Sequence, residues 1–396
     1  MATTASLALA MGTAGLCGPQ HGPGVTDQEI RIGQTMPYSG PLSAQGVMTG
    51  KAMQAYFDKV NDEGGVNGRK IRLISLDDGY SPPKTVEQTR KLVEQDEVLL
   101  IFGTLGTPTN LAIRKYLNAK NVPQLFITTG VTKFGDQKGF PWTMGWIPNF
   151  STEASAYAAY LLKNRPNARI GILYQNDDYG RDLVTGLKQA LGEKAQQMIV
   201  AEASYEVADP TVDQQVIALH GANADTFMSF STPKAAAQAI RKVYDIGWRP
   251  LHFLSTPATS IDVTLKPAGL EKSIGLVSAT YTKDPGDPQW AGDPGVKAYL
   301  SFMKKYFPEA EPGERNTILG YSEAMTLVAV LKQCGNELTR ENVMRQATAI
   351  KDLELPMLLP GIKVHTGPTD YYPVKQLQLI RFDGTRWVRF GEVVGR

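Results

Sequence analysis

From Glu29 onward, short apolar segments bounded by turn residues alternate with longer segments of helical period, and this rhythm constrains the chain more than any other feature. Ile30–Thr35, Lys70–Leu76, Val98–Phe102 and Gln124–Ile127 are predicted as strands, with helices over Ala44–Glu63, Pro83–Asp96 and Pro108–Lys120 between them. Such alternation implies parallel strands joined by helical crossovers, an α/β arrangement. The Pro- and Trp-containing passage Phe140 to Trp146 interrupts the rhythm. It resumes with strands at Arg169–Tyr174, Met198–Ser204, Thr226–Phe230 and Leu251–Leu254, and with helices at Thr152–Lys163, Tyr179–Leu191, Thr211–His220 and Lys234–Ile246. With 396 residues the chain exceeds one domain of usual size, so two doubly wound parallel-sheet lobes are expected, each with its own core. Beyond Ile274–Tyr281, helices are predicted near Val296–Tyr306 and Thr317–Gln333, and the chain ends in short antiparallel strands at 361–364, 376–382 and 387–390.

Composition removes several function classes. The 41 Lys plus Arg are interleaved with 39 Asp plus Glu, so no basic face is available to neutralise a nucleic-acid backbone. No apolar run reaches the roughly 18 residues of a transmembrane helix. The first 16 residues carry no charge and are rich in Ala, Leu, Met, Thr and Gly, like the apolar part of a secretory signal without its basic start; Ala8-Leu9-Ala10 is a candidate cleavage site. Residues 1–27 are therefore expected to be a leader, and export is preferred to a cytoplasmic location. Cys17 and Cys334 are the only cysteines, too few for a thiolate cluster, and Cys334 is expected to be a buried thiol on an apolar helix face.

Familiar catalytic signatures are missing: no Gly-x-Ser-x-Gly, no His-Glu-x-x-His, and no Gly-x-Gly-x-x-Gly after the first strand. Gly46 to Ala52 imitates a phosphate loop, but its glycines are one residue too close and Ala52 lacks the hydroxyl that magnesium needs; helix is the expected state. Adjacent Asp77 and Asp78 point to opposite faces of a strand, so turn capping is expected rather than paired acid/base chemistry. The four histidines are scattered, and the Asp/Pro/Gly loop at 283–295 departs from calcium-loop spacing, so a solvated loop is expected there. No cofactor, metal or catalytic residue is assigned.

What remains is a set of polar residues at the carboxyl ends of predicted strands, where open α/β sheets bind ligands. In the first lobe these are Tyr38-Ser39-Gly40 with Gln45, Leu105-Gly106-Thr107, and Thr129-Gly130-Val131-Thr132; in the second, Asn176 to Tyr179, Phe230-Ser231-Thr232 and Ser255-Thr256-Pro257. The turn Gly103 to Asn110 is the most specific. Its glycines permit close backbone approach, Thr107 is placed to cap the following helix, and Pro108 suits the first helical turn, a combination that receives an anion on exposed amides.

These residues resemble the type I periplasmic binding proteins, in particular the leucine/isoleucine/valine-binding family of ABC-transporter receptors, over nearly the whole chain from Glu29. The resemblance is carried by Ile32-Gly33 to Pro41, Asn61 to Gly68, Asp77-Asp78 followed by Pro83, Gly103 to Thr109, Asn121-Val122-Pro123 and Asp178-Tyr179-Gly180. It implies a hinged pair of lobes around a ligand cleft, with 28–147 plus 279–353 forming one lobe and 148–278 plus 354–396 the other. It also implies a monomeric exported receptor that delivers a small ligand to a membrane permease. Carried over residue by residue, it assigns the ligand carboxylate to Thr107, Gly130 and Thr132 and a closing role to Tyr179. It departs at Pro257: amino-acid-binding members place an acidic side chain near there to pair with the ligand's ammonium, which proline cannot do. A carboxylate without an α-amine, aromatic or short aliphatic, is therefore expected, with Phe230, Trp146 and Leu105 as walls for its tail. A branched-chain amino-acid receptor and a cytoplasmic ligand-sensing regulator of the same fold are the alternatives.

Overall fold

The computed structural model describes residues 21–395. The expected leader up to residue 20, with Ala8-Leu9-Ala10 and Cys17, lies outside them. Residues 21–27, also expected in the leader, instead pack on the first lobe: the Gly22 amide donates to Leu338 O, and Arg69 bonds the backbone oxygen of Thr26.

Two sheets organise the fold. The first has the order β2-β1-β3-β4-β5, all parallel, from β1 (Glu29–Met36), β2 (Lys70–Asp77), β3 (Leu100–Phe102), β4 (Gln124–Ile127) and β5 (Thr143–Gly145). The second has the order β12-β11-β10-β9-β8-β6-β7, with β6 (Ile170–Gln175), β7 (Ile199–Tyr205), β8 (Thr226–Phe230), β9 (Leu251–Leu254) and β10 (Val277–Thr280) parallel. The terminal hairpin β11 (Leu377–Phe382) and β12 (Trp387–Val394) adds antiparallel to β10, as expected for 376–382 and 387–390, whereas 361–364 forms no strand. β5 was not anticipated, because three residues inside a Pro/Trp passage carry no readable period. The central strands β3, β4 and β8 are buried on both faces, which is why apolar residues do not alternate strictly with polar ones along them.

Single helical turns aside, the helices are α1 (Ser43–Asp62), α2 (Pro82–Glu94), α3 (Thr107–Ala119), α4 (Phe150–Asn164), α5 (Asp178–Leu191), α6 (Asp213–Gly221), α7 (Pro233–Asp245), α8 (Pro294–Tyr306), α9 (Arg315–Gln333) and α10 (Arg340–Ala347). Gly46 and Gly50 do lie in α1. A side chain at Gly46 would meet Pro37 O at 2.2 Å, so close backbone approach, not phosphate binding, explains the first glycine of that pseudo-motif. α8 and α9 return to the first lobe, where Phe302 and Tyr321 pack around Tyr56 of α1. Cys334 at the end of α9 is buried, and burial pushes its thiol up to about 12. Among the described residues no helix is long and apolar enough to cross a membrane.

The chain passes between the sheets three times, and the crossings meet. The rings of Trp146 and Tyr281 lie 6.0 Å apart edge to face, and the Val374 amide donates to Trp146 O. The expected second boundary, at 278/279, cuts through β10, whose four residues all pair with β11. Likewise residues 354–374 do not yet join the second sheet. Thr366 bonds Ala347 O at the end of α10, and strand pairing resumes only at Leu377.

Candidate ligand-binding site

The carboxyl ends of both parallel sheets face one cavity. Of the expected residues, Gln45, Leu105, Gly106, Thr107, Thr129, Tyr179, Thr232 and Pro257 line it. Thr128, of the second turn, also lines it, and Leu42, Tyr80, Ile147, Phe150, Arg315 and Leu319, which were not anticipated, complete the wall.

The first-lobe end is built from two turns held side by side by the Leu105–Thr128 bridge. The hydroxyls of Thr107 and Thr129 meet at 2.6 Å and are buried. Thr107 does not cap α3; Gly106 occupies that position at φ 105, ψ 151, and Thr107 begins the helix. The constraint comes from tertiary packing: a side chain at Gly106 would meet the Tyr80 ring at 2.4 Å. Thr109 and Asn110 then bond back to the turn, each to Gly106 O, which fixes its shape. The first amides of α3 have no intrahelical acceptor and sit at the positive end of the helix. Beneath the second turn, the Thr128 hydroxyl donates to buried Glu323 of α9, whose carboxyl burial pushes well above the usual range and whose Oε1 has no partner.

The second lobe contributes mostly shape. The Tyr179 hydroxyl is committed to Ser255 Oγ at 2.6 Å and Ser231 O at 3.1 Å, and its ring meets Phe150 edge to face at 5.2 Å. The Thr232 amide and hydroxyl are committed to Tyr205 and Gln175. Pro257 opens a tight turn behind which Thr256 donates its amide and hydroxyl to Glu153 of α4. Burial pushes Glu153 up to about 7.

Other expected residues do not line the cavity. The Tyr38 hydroxyl bonds Ser75 Oγ at 2.6 Å. Gly130 uses its carbonyl to accept from the Phe150 amide, and Val131 is buried core. The Thr132 amide and hydroxyl both donate to Asp182 of α5 at 2.9 Å, so they latch the lobes instead of holding a carboxylate. Phe230 and Ser231 are fully buried behind Tyr179. Trp146, expected beside the ligand tail, is hinge core and donates Nε1 to Thr326. Nor does an acid substitute for the one missing at Pro257: Asp177 caps α5 and Asp178 pairs with Lys133. Asp77 and Asp78 serve their own turn, accepting from Gly79 and Tyr80, as expected.

The lobes are closed on each other. Besides Thr132 to Asp182, Lys133 pairs with Asp178, Ser260 donates to Glu314 at 2.6 Å, and Gln175 bonds the Tyr80 hydroxyl at 3.4 Å. Replacing Asp182 by Ala frees two donors that water satisfies in the open state, so the penalty falls on closure, about 1–2 kcal/mol. Asp182→Ala is expected to weaken ligand binding about tenfold with the melting temperature nearly unchanged. Titration calorimetry beside a melting curve checks this; undiminished affinity would remove the latch from the closing step.

Residues 29–384 match the family model of the periplasmic binding protein. The chain is 21% identical over 316 residues to a Leu/Ile/Val-binding protein homolog 7 of Brucella suis, covering 77% of each. In structure it is similar to a branched chain amino acid ABC transporter protein from Thermus thermophilus with bound valine, with a TM-score of 0.85, 16% identity and coverage of 94% of this chain and 98% of that one. It is also similar to a fatty acid ABC transporter substrate-binding protein from Thermomonospora curvata, with a TM-score of 0.80, 23% identity and coverage of 96% and 95%. The chain belongs to the type I periplasmic binding proteins of the leucine/isoleucine/valine-binding family, substrate-binding receptors of ABC transporters and not enzymes.

Proposed function

We propose that this receptor captures a small carboxylate lacking an α-amine, closes over it as a monomer, and presents it to a membrane permease. The observation that carries this reading is the charge of the cavity wall: Arg315 lines it, and no Asp or Glu does. An ammonium enclosed there would lose its hydration without a counter-charge, which is strongly unfavourable in a closed site. A carboxylate finds the paired hydroxyls of Thr107 and Thr129 and the amides that open α3. Leu42, Leu105, Ile147, Phe150 and Leu319 supply an apolar middle, which suits an aliphatic or aromatic body.

A thermal-shift screen tests the ligand class. Leucine and valine are compared with their deaminated analogues 4-methylpentanoate and 3-methylbutanoate, and with benzoate and octanoate. An acid at 100 times its dissociation constant stabilises by about 2.7 kcal/mol, and the amino acids are expected to give no shift. Stabilisation by leucine or valine and not by the deaminated acids would reverse the reading in favour of a branched-chain amino-acid receptor.

A further inference from the structure

Arg315 opens α9, and on a helix residues four apart share a face. Leu319 is on the cavity wall one turn later, and Glu323, a further turn on, accepts the Thr128 hydroxyl beneath the threonine turns. Eight residues of helix rise about 12 Å. α9 therefore runs along the cavity, with the carboxylate-receiving turns at one end, apolar wall between, and a guanidinium at the other end.

That guanidinium is not neutralised by contact. Among the described residues no carboxylate lies within ion-pair distance of Arg315, and its polar side-chain contact is the Tyr281 hydroxyl at 3.5 Å. The carboxyl groups that feel its charge, Glu153 and Glu323, are buried and pushed upward toward their neutral forms, and each is engaged by threonine hydroxyls. Arg315 also lines a second cavity, which lies on its other side under the 283–295 loop. There the indole Nε1 of Trp290 and Nε of Arg389 are buried donors with no acceptor. The acids of that chamber are engaged, Asp287 by Arg386 and Asp284 by the Gly286 amide. The loop is thus not merely solvated: the Lys283–Asp293 ion pair ties its two ends to each other, and the Arg386–Asp287 pair fastens it over the chamber.

Both ends of the site consequently offer donors, separated by an apolar stretch. We infer that the ligand is an elongated dicarboxylate, one carboxylate on the Thr107–Thr129 turns and the second on Arg315. This rests on the reading of those turns as a carboxylate site and adds the distal anion.

Calorimetric titration of the full chain with matched pairs, adipate against hexanoate and suberate against octanoate, tests it at pH 7 and fixed ionic strength. At least one diacid is expected to bind tenfold or more tightly than its monoacid, with the ratio falling to near one in Arg315→Gln and partly kept in Arg315→Lys. Monoacids that bind as tightly as diacids to the unaltered protein would overturn the inference and leave the carboxylate reading standing. Absence of binding by every acid would overturn both. A preference for diacids that survives Arg315→Gln, in a variant with an unaltered melting curve, would also overturn the assignment.

Discussion

Gly106→Ala is expected to destabilise the protein by about 4 kcal/mol and to abolish measurable acid binding. Gly106 holds φ 105, ψ 151, a region in which a residue with a side chain is strained by about 1–3 kcal/mol. Its new methyl would also stand 2.4 Å from the Tyr80 ring and 2.9 Å from the Thr109 hydroxyl, and overpacking of this kind adds about 1–3 kcal/mol. Neither neighbour can retreat freely. Tyr80 is buried, itself at φ 59, and anchored by Asp78 through its amide, while Thr109 closes the turn through Leu105 O and Gly106 O. Relief must come from moving the α3 entrance, which carries Thr107. Urea unfolding with both midpoint and slope measured gives the comparison. A loss below about 1 kcal/mol, or unaltered binding, would mean that the turn yields far more easily than its contacts indicate.

The same turn shows how far the site was legible in the sequence. Glycine and proline around Leu105-Gly106-Thr107 announced a strand-to-helix turn, because those residues act through local backbone geometry. Which of them would cap was not legible, since Gly106 takes its conformation from the Tyr80 ring of another strand end. Tyr80 itself follows Asp77-Asp78-Gly79 at the end of β2, so the strand-end rule that found Thr129 could have found it. Arg315 had no such signal. It reaches the cavity because the chain returns to the first lobe after β10, a consequence of topology that no local pattern encodes.

Apolar residues failed in the opposite direction. Phe230 and Trp146 lie near strand ends and read equally well as ligand wall or core; both are core, and Ile147, Phe150 and Leu319 form the wall instead. Thr132 illustrates a third case. Hydroxyl and amide at the end of a strand are suited to a carboxylate, and they do bind one, but it belongs to Asp182 of the opposite lobe. The donors that close the lobes and those that face the ligand are chemically alike, so only the placement of α5 distinguishes them.

Thr107→Val carries the largest expected effect on binding without an equal effect on folding. One proton of the Thr107–Thr129 pair joins the two oxygens 2.6 Å apart, and the other is free to donate. A carboxylate can accept from both hydroxyls at once, and each such charge-assisted bond contributes about 1.5–3 kcal/mol. Valine keeps the shape and removes one donor, so affinity for the tightest-binding acid is expected to fall between about tenfold and 150-fold. Stability should change by less than about 1 kcal/mol, because the Thr129 hydroxyl left behind lines the cavity and can bond water there. Thr129→Val should match it, and the double variant should lose less than the sum, since the two hydroxyls act on one carboxylate and on each other. Titration calorimetry on the three variants, with melting curves as the control, decides the matter. Unchanged affinity in Thr107→Val would place the carboxylate elsewhere in the cavity, with Arg315 as the remaining cation able to hold it.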